Sequence, residues 1–141
     1  MAKTALSAAA KATLAEESHF VNDEAKGLTY AGSHLLIDLW DATRLDDLAH
    51  VEQTLTRAVQ MAGATLLRID LHHFTENGGI SGVAVLAESH MSIHTWPELG
   101  YAALDVFMCG NCDPHDTLPV LREAFEPDRV QVAEHKRGVI A

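Results

Sequence analysis

The sequence predicts an α+β protein, a two-layer sandwich in which an antiparallel sheet carries two helices on one face. Three observations lead there. Short stretches of alternating apolar residues recur along the chain, only two segments show helical spacing, and the links between the middle strands are short enough to be hairpins.

The first strand is "SHLLIDLW" (Ser33–Trp40), where Leu35, Ile37 and Leu39 share one face. "DATRLDDLAHVEQTLTRAVQMAG" follows, with Leu48, Val51, Leu55, Ala58, Val59 and Ala62 at helical spacing. Thr43 with Asp46 offers a capping-box-like start, and Gly63 a C-terminal stop. In "TLLRIDLHHF" the alternation sets Leu67, Ile69 and Leu71 against Arg68, Asp70 and His72. "TENGG" is a turn, "ISGVAVLA" a buried strand and "YAALDVFMC" a further strand. "HDTLPVLREAF" is the second helix and "RVQVAEH" the closing strand, so the predicted order is β-α-β-β-β-α-β. Helices on one face leave the other sheet face in need of cover, which predicts a dimer.

At 141 residues the chain makes one domain. Its formal charge is -10, from 10 Lys+Arg against 20 Asp+Glu. Such a surface repels phosphate backbones, so nucleic acid is not an expected partner, and it favours cationic small molecules. Two cysteines make no disulfide framework and suit the reducing cytosol. Lys11, Glu16 and Glu17 interrupt the apolar core that a secretory signal would need, and no run is long enough to span a membrane. The chain is therefore expected in the cytoplasm. Residues 1–28 read as a flexible, partly helical extension, and residues 29–141 as the functional domain.

The chemistry concentrates in "AESHMSIHTWPELGYAALDVFMCG", from Ala87 to Gly110. A zinc reading would use His90 and His94 with Cys109 and Cys112. On a strand, however, His90 and His94 lie about 13 Å apart, too far to share one ion, so no metal is expected. A hydrolase reading fails because "GGISG" is not a nucleophile elbow. A third reading starts from the Glu88–Ser89 bond. A serine hydroxyl can attack its own preceding carbonyl, and the resulting ester can eliminate to leave a pyruvoyl group on the new N-terminus. That carbonyl would form a Schiff base with an amine and act as an electron sink. The chemistry needs a base, donors for the attacked carbonyl and a later proton donor, and Ser89, His94, Ser81 and Cys109 are candidates.

"SGVAVLAESHMSIHTWPELGYAALDVFMCG" resembles the core of the bacterial and archaeal S-adenosylmethionine decarboxylases, whose general form is S-G-V…E-S-H-x-x-I-H-T-W-P-E-x-G-Y-A-A-x-D-x-F-x-C-G. The likeness extends to "GSHLLIDLW", "HHF" and "VQVAEHKRG", covering about residues 29 to 138. The resemblance implies self-cleavage between Glu88 and Ser89, with Ser89 becoming the pyruvoyl group that heads residues 89–141. It also implies that His94 removes the α-proton during processing, that Ser81 assists, and that Cys109 returns a proton to the substrate carbon. Glu98, in the W-P-E motif, would accept hydrogen bonds from the ribose hydroxyls, and Phe74 is a candidate for stacking on adenine. Cys112 carries no implied role. The implied reaction converts S-adenosylmethionine to its decarboxylated form, the aminopropyl donor for spermidine synthesis, in a homodimer of two-chain protomers.

Ser89 and His94 are an odd number of residues apart, so the segment between them is expected to bend or bulge. Two features depart from the family pattern: the loop "TENGGISG" is one residue longer, and Met108 stands where many members have threonine. The same scaffold supports pyruvoyl-dependent arginine or ornithine decarboxylases, and an unprocessed partner subunit is a further alternative.

Overall fold

The alternating strands and the two amphipathic segments assemble as a sheet with both helices on one face. A computed structural model describes residues 20–140, together with Ser7 and Ala9. The remainder of the predicted helical extension lies outside the described residues. In the described part of that extension, β1 (Val21–Asp23) pairs with β2 (Leu28–Tyr30) in a small antiparallel hairpin. This hairpin is bridged to the far end of the chain between Thr29 and Ile140.

The main elements are β3 (Gly32–Trp40), α1 (Leu48–Met61), β4 (Leu66–His73), β5 (Ile80–Leu86), β6 (Ser89–Trp96), β7 (Tyr101–Cys109), α2 (Leu118–Phe125) and β8 (Arg129–Arg137). β3 to β8 form one six-stranded sheet in the order β4-β5-β6-β7-β3-β8, antiparallel throughout. The sheet holds one strand more than the predicted order, because residues 89–96 form β6.

The inner face is built from the alternating apolar positions. Leu35, Ile37 and Leu39 of β3 meet Met91 and Ile93 of β6 and Leu104, Val106 and Met108 of β7, all of them buried. α1 seats Val51, Leu55, Ala58 and Val59 on this face, and α2 adds Val120, Leu121, Ala124 and Phe125. Each large apolar side chain so buried contributes about 1.5–3 kcal/mol relative to exposure.

Two local expectations are corrected. Asp47, not Thr43, caps α1, its carboxylate accepting the His50 N–H at 3.0 Å. Thr43 is drawn off to the end of α2, where its N–H and hydroxyl both donate to the Phe125 carbonyl at 2.7 and 3.1 Å. The predicted stop holds, with Gly63 at φ +79° just beyond the Ala62 cap. In β4 a bulge sets Leu66 and Arg68 opposite consecutive residues Leu86 and Val85. Leu67 is the extra residue and is 63% exposed, while Leu66, Ile69 and Leu71 pack on the core.

Neither α1 nor α2 lies over the outer face, which carries a polar network. Asp105 accepts hydrogen bonds from His34 at 2.6 Å, from His90 at 2.9 Å and from the Ser92 hydroxyl. The Arg137 guanidinium meets His34 Nδ1 at 3.1 Å. A guanidinium can only donate, so Nδ1 accepts and the proton of His34 lies on Nε2, directed at Asp105. Burial pushes the Asp105 carboxyl up, but the bonds from Ser92, His34 and His90 outweigh it and hold the group below its usual range.

Candidate active site

The β5–β6 hairpin carries candidate residues at both ends. At its tip Leu86 pairs with Ser89, so Ala87 and Glu88 alone make the turn. Glu88 holds φ at +64°, a left-handed conformation that costs a residue with a Cβ about 1–2 kcal/mol. This strain sits on the residue whose carbonyl precedes Ser89. Cys109, the last residue of β7, reaches the same point. Its thiol donates to the Glu88 carbonyl at 3.2 Å, and its backbone N–H donates to Ser89 Oγ at 3.3 Å. Burial pushes the Cys109 thiol up, the bond to Ser89 opposes this, and the nearby Glu88 and Cys112 reinforce it. The net rise keeps the thiol protonated at neutral pH. Cys112 lies one turn away, its N–H on the Cys109 carbonyl at 3.4 Å.

The opposite end of the hairpin holds the second group. Ser81 pairs across the ladder with His94, and Ser81 Oγ lies 3.0 Å from His94 Nδ1. Gly82 beside it is obligatory, because a Cβ there would stand 2.3 Å from the Asp70 carbonyl oxygen and 2.4 Å from the Leu71 side chain. After Trp96 the chain enters a 3₁₀ turn, Pro97–Leu99, and the Glu98 carboxylate accepts from the Asn77 amide at 3.3 Å. Phe74 is 45% exposed and packs edge-on against His72, ring centroids 4.5 Å apart. A cleft of about 390 Å³ opens here, lined by Phe74, Glu76, Asn77, Ser81, His94 and Trp96 among others. That volume suits a small ligand. Beside it, Trp96, Tyr101 and Trp40 form a stack with centroid separations of 5.2 and 4.4 Å.

The two ends do not meet within one chain. The β5–β6 register runs without a shift from Ser81 opposite His94 to Leu86 opposite Ser89. The bend expected between Ser89 and His94 is absent. Five residues of regular strand separate them by about 16 Å. The structure thus brings together Glu88, Ser89 and Cys109 at one end, and Ser81, His94 and Phe74 at the other, with Glu98 beside them. His90 and His94 do not converge either: both lie on β6, four residues apart, and His90 is bound to Asp105 of the neighbouring β7. Sequence reading missed Asn77, which looked like a plain turn residue, and the His34–Asp105–His90 network. The only trace of that network was polar residues alternating on one face of three strands.

A family model for S-adenosylmethionine decarboxylase matches residues 33–138. The chain belongs to this family. Among its relatives, the S-adenosylmethionine decarboxylase proenzyme of Methanococcus vannielii is 51% identical over 112 residues, covering 77% of this chain and 91% of that one. The proenzyme of Thermomicrobium roseum is 46% identical over 110 residues, covering 77% and 95%. The crystal structure of the adenosylmethionine decarboxylase from Aquifex aeolicus VF5 superposes with a TM-score of 0.71 at 32% identity, over 79% of this chain and 94% of that chain. Among the described residues no helix is long and apolar enough to cross a membrane.

Proposed function

We propose that this chain cuts itself between Glu88 and Ser89 and then decarboxylates S-adenosylmethionine. The hairpin tip carries the reading. Glu88 is held in a left-handed conformation, its carbonyl receives a hydrogen bond from a neutral thiol, and beside it lies a serine hydroxyl oriented by a backbone N–H. Those are the needs of an attack by Ser89 on its own preceding carbonyl. When formed, the pyruvoyl group derived from Ser89 supplies a carbonyl that takes the substrate amine and withdraws electrons from the departing carboxylate. Cys109, held neutral by burial, is the proton donor to the substrate carbon.

His94 is the base in processing, with Ser81 holding its Nδ1. At about 16 Å it cannot serve the Ser89 of its own chain, so a second copy must bring it. Neither α1 nor α2 lies over the outer face, which carries Ser81 and His94 at one end of the hairpin and Cys109, bound to the Glu88 carbonyl beside Ser89, at the other. A two-fold axis lying in that face and running across the strands exchanges the two ends of the hairpin. It sets the Ser81–His94 end of one chain over the Ser89–Cys109 end of the other. The functional unit is therefore a homodimer of two-chain protomers, with two sites. In each, Phe74 stacks on adenine, Glu98 accepts from the ribose hydroxyls, and Trp96 offers a ring to the sulfonium. Arginine or ornithine would leave the aromatic cleft without a base to stack. Two free thiols, one of them functional, fit a cytoplasmic setting.

Intact mass after incubation with S-adenosylmethionine, arginine and ornithine, trapped by cyanoborohydride, tests the whole reading. Two chains divided at Glu88–Ser89, the second carrying an S-adenosylmethionine-derived adduct, are expected. An uncut chain, or an arginine or ornithine adduct, would overturn it.

A further inference from the structure

We infer that Asn77 is a positioning residue for Glu98 and sets how tightly the cleft holds a ribose; this rests on the nucleoside reading of the cleft. Asn77 lines the cleft, and Glu98, exposed on its 3₁₀ turn, meets the cleft through it. The orientation of the Asn77 amide is fixed by its other bond. The Gly79 N–H reaches Asn77 Oδ1 at 2.8 Å, and a backbone N–H only donates, so the amide nitrogen must face Glu98. Asn77 is itself exposed, and the bond from the Gly79 N–H is what anchors it. Gly79 is buried, and a Cβ there would come within 2.8 Å of the Thr95 carbonyl oxygen and 3.0 Å of Asn77 Oδ1. A glutamate on a short exposed turn otherwise spreads over several rotamers. One fixed donor on Oε1 selects among them and leaves Oε2 open to accept from a diol. Both loops meeting at this bond come from the same chain, so the pair is complete before any dimer forms.

The test compares wild type, Asn77→Ala and Asn77→Asp, each first shown by mass to be cut. The probes are 5′-methylthioadenosine and its 2′,3′-dideoxy counterpart, used as competitive inhibitors. Wild type should prefer the ribose form. In Asn77→Ala that preference should shrink by about 5–10-fold, since one charge-assisted hydrogen bond no longer fixes the acceptor. The loss should fall on KM for S-adenosylmethionine more than on kcat. Asn77→Asp keeps the bond to Gly79 but sets a second carboxylate against Glu98. It should be the weaker ribose binder of the two variants, because like charges push the Glu98 carboxylate away from its paired position. An unchanged preference in Asn77→Ala, or an Asn77→Asp protein that behaves as wild type, would reduce Asn77 to a loop anchor and overturn the inference. If wild type does not distinguish the two probes, the ribose reading of Glu98 itself fails and takes the inference with it.

Discussion

Two individually inactive variants, Ser89→Ala and His94→Ala, should restore each other when co-expressed. Under the proposed mechanism, Ser89→Ala lacks the attacking hydroxyl and His94→Ala lacks the base. Proton abstraction needs an approach of about 3 Å, whereas the unbroken β5–β6 ladder holds the two side chains about 16 Å apart in one chain. No rotamer change closes such a gap, so each homodimer should stay uncut, stalled in one case before the ester and in the other at it. Random pairing makes about half of the dimers mixed. In each mixed dimer one site combines Ser89 from the His94→Ala chain with His94 from the Ser89→Ala chain, and the other site lacks both. About a quarter of all sites should therefore process, and only His94→Ala chains should be cut. Distinct tags on the two chains allow mixed dimers to be isolated, and intact mass then counts cut chains of each type. Mixed dimers that stay uncut, or a His94→Ala homodimer that processes at the normal rate, would refute the two-chain site.

Asp105→Asn should destabilise the protein by about 1–3 kcal/mol at pH 7 by breaking a charged hydrogen-bond network. Because the folded Asp105 carboxyl lies below its unfolded value of about 3.9, its contribution is complete above that pH and disappears as pH falls through the folded value. Denaturation at a series of pH values should show the acid limb below about pH 4 flattened in the variant, and an unchanged limb would count against the network. Tyr101 donates to Asp38 at 2.6 Å, and that bond, helped by burial, pushes its phenol up to about 12. Ultraviolet titration should find one of the two tyrosines ionising near pH 12. The stabilisation is present below about 10 and vanishes as pH rises through the folded value, and Tyr101→Phe should remove it. Gly82→Ala should cost about 1–3 kcal/mol by driving a methyl into the β4 backbone, visible as a lower unfolding midpoint.

The inner face was legible because alternation in β3, β5 and β7 is regular and apolar. β4 misled because two leucines stand side by side, and counting from Leu67 gives a plausible strand whose phase only the bulge corrects. β6 was hard to count because His90, Ser92 and His94 make one of its faces polar, and that face has meaning only beside Asp105 and Ser81. The start of α1 was ambiguous locally. Thr43 and Asp47 are both good caps, and Thr43 lost the role to a tertiary bond with Phe125 that no nearby residue reports. Ser89, His94, Ser81 and Cys109 were visible by residue type, while their roles, with Glu98 and Phe74, came from the family resemblance. Their division into two groups was not, since a spacing of five residues fixes a distance only once the ladder is known to be regular.

The order of strands in the sheet governs what a cut at the hairpin tip leaves behind. Residues 1–88 supply β3, β4 and β5, and residues 89–141 supply β6, β7 and β8, so β3 of the first piece is threaded between β7 and β8 of the second. Three ladders, β5–β6, β7–β3 and β3–β8, join the pieces. The uncut chain can assemble this weave with every strand on one tether, but the pieces, once separated, must find each other in solution and interleave. A cut at that tip would therefore erase the folding route open to the uncut chain. The mature enzyme should lose activity irreversibly on heating, its lifetime set by the rate of opening rather than by an equilibrium, while the uncut Ser89→Ala chain should refold readily.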